Sequence, residues 1–276
     1  MPAAALDQLF AENHTLPTVP KVVRDLIEVL ANENASLSQV ARKIEADQVL
    51  TARMLRLANS PFYGLRRKVA TMEEAIRMLG LSAIRTLVIS ANLTGTFQKV
   101  PHVNLPNFWR HSLRVASVAR HLAGLGRAVD PNLAFTVGSM HAIGQLIMAI
   151  VRPEDIAAVN AASPFDSMRR FAAEEQAFGY HYGDVSARLA SRWDFSDEYV
   201  TALGGFARPL DMPSLDPLAG LLHLGVWRMA LDRDGAAASG AAWPVEVLKA
   251  LGLPPDSLED MPAPEELAAD LELMIG

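Results

Sequence analysis

Residues 107–124, NFWRHSLRVASVARHLAG, place apolar side chains at the spacing of a helix with one buried face. The positions that share this face, one histidine among them, are Phe108, His111, Val115, Val118 and Leu122. Half of all residues are hydrophobic but only 7% are aromatic, and alanine and leucine dominate, a composition that favours helices over sheets. We therefore predict an all-α protein.

The next predicted helix carries a second inward-facing histidine. Asp130 followed by Pro131 is typical of a helix start, and the run GSMHAIGQLIM (138–148) places His141 in the middle of an apolar helix. Two such histidines on consecutive antiparallel helices are expected to meet in the core. A lone histidine on an apolar face is most often a hydrogen-bonded core residue, but it can also be a metal ligand. His121 lies on the opposite, polar face and is interpreted as solvated.

Helix starts are also readable nearer the N-terminus. Ser36 with Gln39, and Thr71 with Glu74, have the spacing of capping boxes, and Asp47 can cap the helix between them. In the helix after Thr71, Gly80 is predicted to form a left-handed cap, with a new helix beginning at Ser82.

A proline-bounded connector divides the chain. The segment Pro101–Pro106 breaks the helical pattern, so we predict an N-terminal lobe (14–100) and a second lobe (106–230). Residues 231–276 begin with a Gly/Ala-rich stretch, predicted to be flexible, and end in an acidic extension. That extension either packs as a last helix or forms a separate contact for a basic partner.

Charge and composition exclude several classes of function. A net charge of -6 and a pI near 5.7 argue against a chain that mainly holds nucleic acid by its phosphates. The absence of cysteine excludes disulfides, thiolate metal sites and a cysteine nucleophile. The N-terminus does not resemble a secretion signal, no run reaches about 18 apolar residues, and no phosphate-binding loop or nucleophile elbow is present. We expect a soluble, cytoplasmic protein.

Several segments together resemble the HDOD proteins, the non-catalytic relatives of the HD-domain metal-dependent phosphohydrolases. The resemblance covers about residues 14–230. It is carried, in order, by LPTVPKVVRDLIEVL, SLSQVARKIEADQVLTARMLRLANSPFYG, VATMEEAIRMLGLSAIRTLVIS, FWRHSLRVASVARHLA, FTVGSMHAIGQLIM and FGYHYGDVSARLASRWDFSDEYVTAL. It implies two helical lobes, an N-terminal bundle packed on an HD-like lobe.

The resemblance also points to a degenerate metal site. Active HD enzymes hold metal with a first histidine, a His-Asp pair and a later aspartate. Here His111 and His141 match the histidines, Ala142 and Gly225 stand where the aspartates would be, and Gln145 replaces a lysine that often follows the pair. Two neutral imidazoles without a carboxylate make a poor site for a hard cation. We therefore interpret His141 as a core residue retained from a lost metal site, and expect no catalytic residue, metal or cofactor.

Two alternative functions remain open. A residual phosphohydrolase could use His111 and His141 if Glu174, Glu175 or Asp184 supplied the missing carboxylate, although nothing in their spacing recommends them.

The other alternative is DNA binding, because residues 36–60 resemble a helix-turn-helix in outline, with Arg53 and Arg56 available to the major groove. Against it, no glycine stands in the turn, and Glu45 and Asp47 would face phosphates. We favour the interpretation that these are two core helices and that Arg53 and Arg56 are solvated.

The densest basic cluster is a candidate partner surface, composed of Phe62, Tyr63, Arg66, Arg67 and Lys68. An aromatic residue beside cations is a common anchor for a partner, although a solvated loop gives the same pattern. The resemblance implies a cytoplasmic bacterial signalling module that binds other proteins, such as components of kinase, cyclic-dinucleotide or motility pathways. It does not indicate the partner, the signal, a bound small ligand or the oligomeric state.

Overall fold

The computed structural model describes residues 2–11, 36–238, 244–257 and 260–274. None of these residues lies in a strand, and most are helical, which confirms the predicted all-α class. In chain order the helices are α1 (Pro2–Ala11), α2 (Leu37–Glu45), α3 (Gln48–Ala58), α4 (Met72–Thr96), α5 (Leu105–Gly126), α6 (Pro131–Met140), α7 (Ile143–Val151), α8 (Pro153–Ala162), α9 (Arg170–Phe178), α10 (Tyr182–Arg192), α11 (Asp197–Gly205), α12 (Pro217–Ala238), α13 (Val245–Ala250) and α14 (Pro264–Ala268). Short 3₁₀ segments span Pro209–Asp211 and Ala269–Met274.

The chain forms two compact units, divided between Gln98 and Lys99, just before the predicted connector. Helices α2, α3 and α4 pack together in the smaller unit. The C-terminal 3₁₀ segment joins this unit, packing on α3 and α4 with Leu271 fully buried. Of the two possibilities left open by the sequence, the acidic extension therefore packs within the fold. Where a flexible stretch was predicted to begin, at residue 231, α12 instead continues to Ala238. Residues 239–243 of the predicted stretch lie outside the described residues.

Local capping explains where the first helices begin. The Ser36 hydroxyl accepts a hydrogen bond from Gln39 N, and Gln39 Oε1 accepts one from Ser36 N, so this predicted capping box is confirmed. Asp47 Oδ1 accepts from Leu50 N and caps α3 as predicted. These bonds satisfy backbone donors that a helix leaves unpaired in its first turn.

The second predicted box forms only in part. Thr71 Oγ1 accepts from Glu74 N, but the Glu74 carboxylate reaches one residue further back and accepts from Ala70 N. At Gly80 the predicted break between two helices is confirmed, because its φ of 83° and ψ of 165° are non-helical and α4 consists of two helical segments joined at this kink. The ψ lies outside the left-handed helical region, so the predicted left-handed cap does not form.

The larger unit surrounds α5. Helices α6 and α12 pack along α5, while α7 packs on α10, which also contacts α11. Helix α1 belongs to the same unit, where the Arg192 guanidinium lies 4.8 Å from the centre of the Phe10 ring. This arrangement buries the apolar face predicted for α5.

Two helical stretches, Met72–Thr96 and Pro131–Val151, have the length and mean hydropathy of a membrane span. In their most apolar windows, 56% and 89% of residues respectively are buried inside the protein. Length and apolar composition are equally typical of core helices, so these stretches are weak evidence for membrane insertion.

Helices α7 and α10 approach each other most closely at Gly144. A Cβ atom at this position would lie 2.0 Å from Tyr182 O. Gly144 N donates to Ser186 Oγ at 2.8 Å, and Ser186 Oγ donates to His141 O at 2.8 Å, so one hydroxyl ties the start of α7 to α10. Only glycine permits this contact without moving a backbone.

Replacing Gly144 by Ala is therefore expected to lower the free energy of unfolding by about 2–3 kcal/mol, because the new methyl group forces α7 away from α10. Gly124→Ala is the matched control, since a Cβ at Gly124 in α5 would meet nothing within 4 Å. It should leave stability unchanged or raise it by about 0.5–1 kcal/mol through helix propensity. Urea unfolding followed by circular dichroism measures both. Equal stability of the two variants would contradict the close approach.

Candidate functional site

The two histidines singled out in the sequence meet in the core of the larger unit. His111 lies on α5, and His141 lies between α6 and α7. Their ring centroids are 6.0 Å apart at an angle of 49°. The predicted pairing is thus correct, but the prediction that His141 lies mid-helix is wrong, because α6 ends at Met140 and α7 begins at Ile143.

His141 is held neutral by its surroundings. Its side chain is 1% exposed, and Nδ1 lies 2.7 Å from Gly138 O. Since a carbonyl oxygen can only accept, Nδ1 carries the proton. Burial, and secondarily the neighbouring His111, lower the pKa of His141 to about 3, against the effect of the Gly138 hydrogen bond.

Aromatic rings enclose the histidine pair. Phe165 lies edge-on to His111 at 5.3 Å, while Tyr182 and Phe206 lie edge-on to His141 at 6.3 and 6.0 Å. Burial raises the pKa of Tyr182 well above its usual value, so its hydroxyl stays protonated. The immediate lining of the histidines is therefore largely apolar.

Neither of the two positions at which an HD enzyme would carry an aspartate offers a metal ligand here. The Ala142 methyl is buried and cannot bind metal. At Gly225, on α12, a Cβ atom would lie 2.9 Å from Val115 O and 3.3 Å from Val115 Cγ1, so α12 and α5 leave no room for a side chain. Gln145 donates from Nε2 to Phe165 O and pins the loop after α8.

The carboxylates considered as substitutes are engaged elsewhere. Glu174 Oε1 accepts from Arg170 Nε at 2.6 Å, and Glu174 Oε2 accepts from Tyr182 N at 2.7 Å. Burial raises the pKa of Glu174 to about 6, although Arg170 lowers it. Glu175 pairs with Arg208.

Asp184 Oδ2, the third candidate, accepts from His181 N at the start of α10. Among the residues that the structure describes, no three His, Asp or Glu side chains are grouped to hold a metal ion. The residues around His111 and His141 thus do not fit the metal of an HD enzyme.

Comparison with known proteins assigns the family. The model of the HDOD domain matches residues 16–205, well over half of the chain. The chain belongs to the HDOD family. This confirms the resemblance seen in the sequence. HDOD domains generally carry a degenerate HD fold, and Ala142 and Gly225 are consistent with that.

Solved structures share the fold over nearly the whole HDOD chain. A candidate phosphohydrolase from Shewanella amazonensis SB2B is 28% identical, with a TM-score of 0.77 over 99% of this chain and 98% of its own. An HDOD domain protein of unknown function from Geobacter sulfurreducens is 24% identical, with a TM-score of 0.74 over 98% and 93%. An uncharacterized protein from Treponema pallidum (strain Nichols) is 19% identical over 192 residues, which make up 68% of this chain but only 37% of that relative.

Three further histidines of the HDOD chain are partly or fully buried in the larger unit. His121 is half-buried, and burial lowers its pKa, so it is less solvated than the sequence pattern indicated. His223 lies on α12, where Nδ1 is 2.9 Å from Phe206 O, and burial lowers its pKa as well. His181 acts as the N-cap of α10, with Nδ1 accepting from Gly183 N and Asp184 N.

The predicted partner surface lies on the loop between α3 and α4. Arg66, Arg67 and Lys68 are exposed, and the half-buried Phe62 and Tyr63 rings pack edge-to-face at 5.0 Å. The loop is anchored at both ends. Asn59 Nδ2 donates to Val69 O and Asn59 Oδ1 accepts from Val69 N, while Arg67 Nη1 lies 2.5 Å from Glu74 Oε1.

The two arginines of the helix-turn-helix alternative have different surroundings. Arg53 is half-buried, and its Nη1 donates to Ala91 O in α4 at 2.8 Å, whereas Arg56 is exposed. The interpretation of both arginines as solvated is therefore wrong for Arg53. Because Arg53 ties α3 to α4, it is not free to read a groove.

The sequence pattern did not indicate Arg170, which among the described residues is the largest fully buried side chain. Its guanidinium donates to Glu174, to Asn160 Oδ1 and to Ser163 O, joining α8 to α9. The i,i+4 spacing of Arg170 and Glu174 is a signal of pairing, but the same spacing is common on exposed helix faces, so it does not indicate burial.

Proposed function

We propose that this HDOD chain is a non-catalytic, cytoplasmic regulatory module that acts by binding other proteins. The observation that carries the proposal is the closed contact at Gly225, where Val115 O occupies the space that a metal-binding side chain would need. Ala142 removes the other carboxylate position. Hydrolysis by the HD mechanism needs a metal to activate water, and these positions supply no carboxylate for one.

The partner surface supports the second half of the proposal. Exposed cations beside aromatic rings are a common recognition feature, and the loop that carries them is anchored through Asn59 and Glu74. An anchored loop loses little conformational entropy on binding. We infer that the partner is a signalling protein with an acidic face, of the kind found in kinase or cyclic-dinucleotide pathways.

Metal content tests the absence of catalysis. Protein purified without chelators is compared with the His141→Phe variant by elemental analysis. Folded, metal-free wild-type protein is the expected result. A stoichiometric transition metal that disappears in the variant would overturn the proposal and favour a residual phosphohydrolase. That alternative is retained because the similar protein from Shewanella amazonensis is named as a candidate phosphohydrolase.

Charge reversal tests the partner surface. The double variant Arg66→Glu/Lys68→Glu is compared with Lys99→Glu/Lys249→Glu, which makes the same charge change at exposed positions elsewhere. Crosslinking in the native cells, followed by mass spectrometry, should show signalling proteins that are lost only in the first variant. The same set of crosslinked proteins in both variants would contradict binding through this loop.

A further inference from the structure

A cavity of about 270 Å³ lies in the larger unit, beside the histidine pair rather than between the two rings. Its mouth is formed by the exposed residues His102, Asn104 and Asn107, and its floor by the buried residues Phe108, Gln145 and Arg170. The cavity is thus open to solvent at one end and lined by buried polar groups at the other. Concave sites with apolar walls and a few converging polar groups are typical of small-molecule sites.

Gln145 directs an unused acceptor toward this cavity. The side chain is 4% exposed, and Nε2 donates to Phe165 O at 2.9 Å. Because only the amide nitrogen can donate to a carbonyl, this bond fixes which atom is Oε1. No residue in the described part of the chain donates a hydrogen bond to Oε1. Because Gln145 lines the cavity and no described group uses Oε1, this oxygen is available to a donor on a ligand.

Arg170 supplies unused donors in the same lining. Its Nε donates to Glu174, and its Nη1 donates to both Asn160 Oδ1 and Ser163 O. Among the described residues none accepts a hydrogen bond from Nη2. Arg170 is 1% exposed, and the Glu174 carboxylate, 0% exposed, balances its charge. The floor therefore offers donors and an acceptor but no net charge.

We propose that this cavity binds a small uncharged molecule that carries an amide group on an apolar ring. The ligand carbonyl would accept from Arg170 Nη2, and its N–H would donate to Gln145 Oε1. The ring would pack on Phe108, Phe165 and Ile156, which line the cavity. An anion fits less well, because Glu174 already balances Arg170 and the Gln145 acceptor would repel it. This inference goes beyond the proposed function and does not depend on it.

Benzamide, benzoate and N,N-dimethylbenzamide form a matched set of probes. Benzamide offers an acceptor and a donor, benzoate only acceptors, and the dimethyl amide only an acceptor. Titration into the full chain, followed by calorimetry and ligand-observed NMR, should show benzamide binding with a dissociation constant on the order of a millimolar. The other two probes should bind at least about fivefold more weakly, because each leaves the Gln145 acceptor without a donor. Equal binding of benzoate and benzamide would overturn the proposal, as would the absence of benzamide binding.

Two variants locate the binding. Gln145→Met preserves much of the side-chain volume but removes the acceptor, and should weaken benzamide at least about fivefold. Val103→Trp narrows the cavity at a half-buried position without touching the floor, and should abolish binding. Val245→Trp, at a residue 41% exposed and outside the cavity lining, is the control and should bind as the wild type does. Wild-type affinity in Val103→Trp would exclude this cavity. None of these readouts involves a metal or a partner protein, so their failure is distinct from failure of the proposed function.

Discussion

Replacing Arg170 by Ala is expected to lower the free energy of unfolding by about 4 kcal/mol at pH 8, because the change leaves a buried carboxylate without its cation. Arg170 and Glu174 are 1% and 0% exposed, and the lost guanidinium also donates to Asn160 and Ser163. Burial already raises the pKa of Glu174 to about 6, and removing the cation that lowers it will raise this pKa further. A protonated Glu174 carries no buried charge, so the loss of stability should become smaller as the pH falls toward 6.

An exposed pair provides the matched control for Arg170. Arg77 and Glu73 have the same i,i+4 spacing, with Nη2 and Oε1 3.0 Å apart, but the two side chains are 65% and 47% exposed. Arg77→Ala should change stability by less than about 0.5 kcal/mol. The double variant Arg170→Met/Glu174→Gln removes both charges and keeps an acceptor for Tyr182 N, so it should recover much of the loss. Chemical unfolding followed by circular dichroism measures all three, and an Arg170→Ala variant as stable as Arg77→Ala would contradict the buried ion pair.

Acid is expected to destabilise the fold through His141. Its pKa falls from 6.5 in the unfolded chain to about 3 in the folded one, because burial and His111 disfavour the charged ring. The unfolded chain therefore binds the proton first as the pH falls below about 6.5. The stability contributed by neutral His141 is complete above that pH and is lost as the pH approaches 3, for a total of about 5 kcal/mol. Burial lowers the pKa of His181 and His223 too, so they act in the same direction.

The His141→Phe variant isolates this contribution. Phenylalanine keeps ring contacts with Tyr182 and Phe206 but cannot titrate, and it loses the hydrogen bond to Gly138 O. At pH 8 the variant should be about 1 kcal/mol less stable than the wild type. Between pH 6.5 and 4.5 the free energy of unfolding should fall less steeply in the variant than in the wild type. The difference between the two slopes should reach about 1.4 kcal/mol for each pH unit. Unfolding free energies measured across this range provide the comparison, and parallel curves for the two proteins would show that His141 is not the titrating group.

Helix starts were the part of the fold most readily predicted, because caps depend on residues within one turn of each other. The Ser36–Gln39 box and the Asp47 cap formed as predicted. Gly80 broke the helical geometry of α4 as predicted, but with an extended ψ rather than a left-handed cap. Glu74 accepted from Ala70 N instead of Thr71 N, because a flexible carboxylate can reach either of two neighbouring backbone N–H groups and spacing alone does not decide between them.

Burial of polar side chains was predicted less well. His111 was correctly placed on a buried face, since its neighbours at helical spacing are apolar. Arg53 and His121 were assigned to solvent, yet one donates to Ala91 O and the other is half-buried. The Arg53 partner lies 38 residues further along the chain, and His121 is covered by packing rather than by its own helix, so the pattern along a single helix could not indicate either setting.

The all-α class, the HDOD resemblance and the residues at the HD-site positions could be predicted from the sequence, because each depends on residue type and short-range spacing. The packing of the helices was needed to show that Val115 O closes the space at Gly225, that Arg170 is buried against Glu174, and that Gln145 and Arg170 line one cavity. These features arise from contacts between helices whose residues are far apart in the chain, and side-chain packing in three dimensions, rather than local propensity, determines which of them form.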